Sequence, residues 1–128
     1  MSIPCRSLLS ISENRLQPID NAARFHARGG TFLYGTDFGN TTTTGIDIAE
    51  LDGLTAAGLD GAAILAAGTS APAAYWGLKD LGAVEVGKLG SILVLAEDPL
   101  LTPSTLASPI AVYIDGVRVD GSAKEKSP

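Results

Sequence analysis

The run Thr31-Phe32-Leu33-Tyr34-Gly35-Thr36 limits what this chain can fold into more than any other segment, because it is β-branched and aromatic with hardly a polar side chain. A strand polar on neither face predicts burial on both, as in a parallel sheet covered by helices. Ahead of it, from Asp20, the residues Ala22, Ala23, Phe25 and His26 predict a short amphipathic helix that Gly29-Gly30 ends. Helix, glycine turn and buried strand make half of an α/β unit. The run leads into Asp37, and a carboxylate at the C-terminal end of a buried strand sits where barrels carry reactive groups.

A chain of 128 residues forms one domain or part of one, able to bury roughly two thirds of its unfolded surface. With 45% hydrophobic and 18% charged residues it reads as globular. Its mean hydropathy of +0.24 is apolar for a free-standing small domain, so some apolar surface is expected to meet a neighbour. Acidic residues outnumber basic ones 14 to 9, the net charge is −5, and no Lys/Arg cluster appears, which argues against nucleic acid as a partner. Cys5 is the single cysteine, so no internal disulfide or multi-cysteine zinc site is available, and a reducing compartment is expected. The apolar stretch near Leu8-Leu9 is broken by Ser7, Ser10 and Ser12 before it reaches signal-peptide length, and nothing approaches the ~20 apolar residues of a membrane span. The expectation is a cytoplasmic chain with no membrane partner.

Residues 1–16 show no sustained period. After Asp37, Phe38-Gly39-Asn40 and the threonines Thr41 to Thr44 read as a surface loop. A helix is predicted from Ile46 to Ala57 with Gly58 at its C-terminal end, a second after Asp60 to about Ala67, and a third from Ser70, with Pro72 in its first turn, to Gly77. The aromatic pair Tyr75-Trp76 is expected in the core. From Gly82 the period changes: Val84-Glu85-Val86 and Ile92 to Ala96 predict strands on either side of a turn at Gly87-Lys88. A proline-bearing linker with Pro99, Pro103 and Pro109 follows. Asp115-Gly116 then predicts a hairpin between Ile110–Ile114 and Val117–Val119.

The segments Gly35-Thr36-Asp37, Glu50-Leu51, Ala57-Gly58-Leu59, Ala66-Ala67-Gly68-Thr69, Val84-Glu85-Val86-Gly87-Lys88-Leu89, Asp98-Pro99-Leu100 and Val112 to Val119 come in an order that resembles the C-terminal end of the metal-dependent amidohydrolase superfamily. The likeness covers about Asn21 to Gly121 and is nearest the branch that includes imidazolonepropionase-like and prolidase-like enzymes. It implies an α/β chain: the last βα unit of a (β/α)8 amidohydrolase barrel plus the C-terminal strands of a small β-sandwich. The corresponding division is an irregular segment 1–18, a terminal βα part 19–81, a β-strand subdomain 82–121 and a disordered tail 122–128.

The resemblance also implies a role for Asp37 as both a metal-facing and a catalytic residue. A divalent ion, zinc being the expected one, lowers the pKa of bound water toward ~7, and a carboxylate within reach moves its proton to the leaving nitrogen. The family's other ligands, a His-x-His pair, a modified lysine or glutamate and two later histidines, would precede residue 21 and are not in this sequence, so the chain by itself is expected to hold either no metal or an improvised set. A full barrel takes about 250 residues. Where the family usually has Ala-Asp after Gly-Lys-Leu, this chain has Gly90-Ser91. His26 is expected to be structural, and Asp47 and Glu50 suit the first turn of a helix. Two functions remain open: a portion of an amidohydrolase that acts on C–N bonds of amides or cyclic amides only when completed by an N-terminal barrel partner or by self-association, or a non-catalytic interaction or scaffold module derived from that fold.

Overall fold

In a computed structural model, the residues described are 11–36 and 45–120, with side chains from residue 17 onward. They form four helices, one 3-10 turn and three short strands, a mixture of helix with a small antiparallel sheet. Helix α1 spans Ile11–Ala27, α2 Ile48–Ala56, α3 Gly61–Gly68 and α4 Ser70–Trp76. The strands are β1 Ile92–Val94, β2 Ala111–Ile114 and β3 Val117–Arg118, paired antiparallel in that order.

The helix ends follow their chemistry. Asp47 caps α2 by accepting the Ala49 N–H at 2.9 Å, and Asp60 caps α3 by accepting the Ala63 N–H at 2.8 Å. At the other end of α2, the Gly58 N–H reaches the Thr55 carbonyl and the Leu59 N–H reaches the Leu54 carbonyl, with Gly58 at φ +94°. This is the paired closure in which a left-handed residue satisfies the last carbonyls, and it drops Leu59 back onto the helix. Gly29 and Gly77, also left-handed, end α1 and α4. Helix α1 starts at Ile11, well before the amphipathic pattern that begins at Asp20, and runs through Pro18.

The core is small. Leu51, Ala57, Leu59, Ile64 and Leu106 are buried together, and Ile19, Ala22 and Ala23 of α1 pack against them with Phe32, Tyr34 and Leu95. Helix α3 begins on a buried glycine because Gly61 lies directly against the Leu100 backbone, where any Cβ would overlap the carbonyl. The Asp98–Thr102 turn that delivers Leu100 is held by the Asp98 carboxylate, which accepts the Leu100 N–H at 2.9 Å, and by the Asp98 carbonyl. The residues read as a linker thus carry a packing role: Pro103–Ala107 winds into a 3-10 turn that inserts Leu106 into the core.

Three other expectations are corrected. Residues 31–36 form no strand: the segment is tied instead to helices, through Tyr34 N–H to the Ala67 carbonyl at 2.8 Å and Asp47 N–H to the Tyr34 hydroxyl at 3.1 Å. A strand needs a ladder partner, and none stands beside it among the described residues, so no parallel sheet forms there. Val84-Glu85-Val86 is likewise not a strand. It enters a tight turn, closed by Lys88 N–H to the Glu85 carbonyl with Gly87 at φ +90°, and both valines are exposed. Tyr75 and Trp76 stack edge to face on the surface, 73% and 62% exposed, rather than in the core.

The hairpin at Asp115-Gly116 has both central residues at positive φ (49° and 78°), the pairing that matches strand twist. Beyond it, Asp120 accepts the Val112 N–H and both the Nε and Nη2 of Arg118, each at 3.0 Å. The Arg118 hydrogen bond, then the Val112 N–H, hold the Asp120 carboxyl well below the usual carboxylate range. A carboxyl depressed in the folded state contributes stability above its unfolded value and loses it as pH falls through the folded one.

Two outcomes are expected. Leu51→Ala should lower unfolding free energy by about 2–5 kcal/mol, and Gly58→Ala, which forces a side chain into left-handed backbone, by about 1–2 kcal/mol, both measured by urea denaturation. In thermal melts, Asp120→Ala should be less stable than the parent at neutral pH, with the gap closing as pH drops below the ordinary aspartate value of about 4; a gap that is constant with pH would contradict the assigned role.

Candidate functional site

An open cleft of about 730 Å³ lies between the helices and the sheet. It is lined by Leu51 and Leu106 of the core, by Ile64, Leu65, Pro72 and Ala73 of α3 and α4 with Thr69 between these helices, and by Leu78, Leu81 and Val84. Ser91, Ile92, Leu93 and Leu95 line it from the sheet segment, and Tyr34 and Ile46 also line it. Among the described residues, no lining residue is charged. Each hydroxyl there is engaged within the fold: Tyr34 accepts from Asp47 N–H, Thr69 donates to the Leu65 carbonyl at 2.7 Å, and Ser91 Oγ accepts the Asp115 N–H at 3.2 Å.

That last bond explains Gly90-Ser91. The Ser91 hydroxyl holds the hairpin turn by one amide, while the Gly116 N–H donates to the Gly90 carbonyl at 2.9 Å. A Cβ on Gly90 would come within 3.1 Å of the Gly116 nitrogen. A glycine followed by a small hydroxyl residue therefore suits this close approach, and the departure from Ala-Asp is accommodated by the turn.

Asp37, to which the sequence assigns both catalysis and a metal, lies outside the described residues, as do the Thr41–Thr44 loop, Cys5 and the 122–128 tail. Among the described residues no three His, Cys, Asp or Glu side chains gather into a group able to hold a metal ion. They do not fit the divalent centre that the resemblance implies. His26 is half-buried on α1, its ring 6.5 Å from that of Phe32, which itself meets Phe25 edge to face at 5.1 Å. Its surroundings are aromatic, in keeping with a packing role. Asp47 and Asp60 are spent on helix caps, and Glu50 lies exposed in the first turn of α2.

The cleft itself was not visible in the sequence. Its walls come from residues as far apart as Tyr34 and Leu106, each of which reads singly as an ordinary apolar position. The one signal was the excess of apolar residues over what a core this size can bury, now seen as exposed Leu78, Val84, Ile92, Leu93 and Val94. No helix among the described residues is long and apolar enough to cross a membrane.

Among curated proteins, none matches this chain. The model of the amidohydrolase family matches residues 5–119, most of the chain's length and all of the elements described above from α2 to β3. The helix caps, the glycine-closed turns and the terminal hairpin are thus local features of a chain that belongs to the amidohydrolase family.

Proposed function

We propose that this chain supplies the closing part of an amidohydrolase barrel, its last βα unit, with β1 to β3 as the C-terminal strands of a small flanking β-sandwich. The branch that fits best is the one with imidazolonepropionase-like and prolidase-like enzymes, on the motif order from Gly35-Thr36-Asp37 to Asp115-Gly116. The observation that carries the reading is the family match over residues 5–119 of a chain half the length of a barrel of about 250 residues. The segment 31–36, apolar and without a ladder partner among the described residues, supports it further.

On this reading the reaction is hydrolysis of the C–N bond of an amide or cyclic amide, carried out in a cytoplasmic setting once the rest of the barrel is present, from another polypeptide or a longer form of this one. Water adds to the carbonyl carbon, the C–N bond breaks, and Asp37 takes the water's proton and returns it to the departing nitrogen. A divalent metal, zinc first, belongs to the completed barrel, since a catalytic zinc takes three protein ligands and an open position. The open apolar cleft also fits a non-catalytic interaction module, which is the second reading.

Metal content of the purified chain by plasma mass spectrometry should be far below one equivalent after zinc is added and free ion removed, with no hydrolysis of an amide and cyclic-amide panel. Co-expression with a barrel polypeptide carrying the His-x-His pair and later histidines should give hydrolysis, reduced about 10²- to 10⁴-fold by Asp37→Asn. Stoichiometric tightly held metal on the chain alone would overturn the incomplete-barrel reading. A folded complex without hydrolysis would decide for the interaction module.

A further inference from the structure

We draw no further inference here: the strongest candidate, the apolar cleft between helices α3 and α4 and strand β1, carries nothing because nothing in the structure shows what covers it.

Discussion

Everything in this molecule hangs on one insertion: Leu106, carried by a single 3-10 turn, enters the space between Leu51, Leu59 and Ile64. The turn packs against both α2 and α3, and the sheet alone has too few strands to bury a face of its own. A buried leucine or isoleucine stabilises by about 1.5–3 kcal/mol, so a core with a handful of such residues tolerates little loss. The paired closure after α2 matters for the same reason, since it returns Leu59 to the cluster from a chain that would otherwise leave.

The rest of the surface is what such a core leaves over. Large apolar side chains stay exposed on the 78–86 turn, along β1 and on the hairpin. On the barrel reading proposed above, that surplus would face neighbouring elements of the barrel.

Local signals were legible and non-local ones were not. Asp60, Gly58, Gly77 and Asp115-Gly116 act at short range, and each was read from two to four residues of sequence, whereas Asp47, expected inside the first turn of a helix from Ile46, caps one that starts at Ile48. Thr31 to Thr36 and Val84 to Val86 have strand composition but require a partner ladder, and composition says nothing of whether one is there. Tyr75-Trp76 fails for a related reason, since an aromatic pair is core only when another element covers it. Of the candidate site, motif order named Asp37 and the family, while the cleft arises from positions brought together by the Leu106 insertion and the Gly61 contact.

Gly61 against the Leu100 backbone has a consequence for how such chains can change over time. Two main chains in direct touch leave no side chain between them to be traded larger or smaller, so neither partner can drift by compensation. The helical half and the sheet half are therefore not interchangeable parts. A C-terminal segment transplanted from a relative would be accepted only if it brings the same Asp98-anchored bend to the same place.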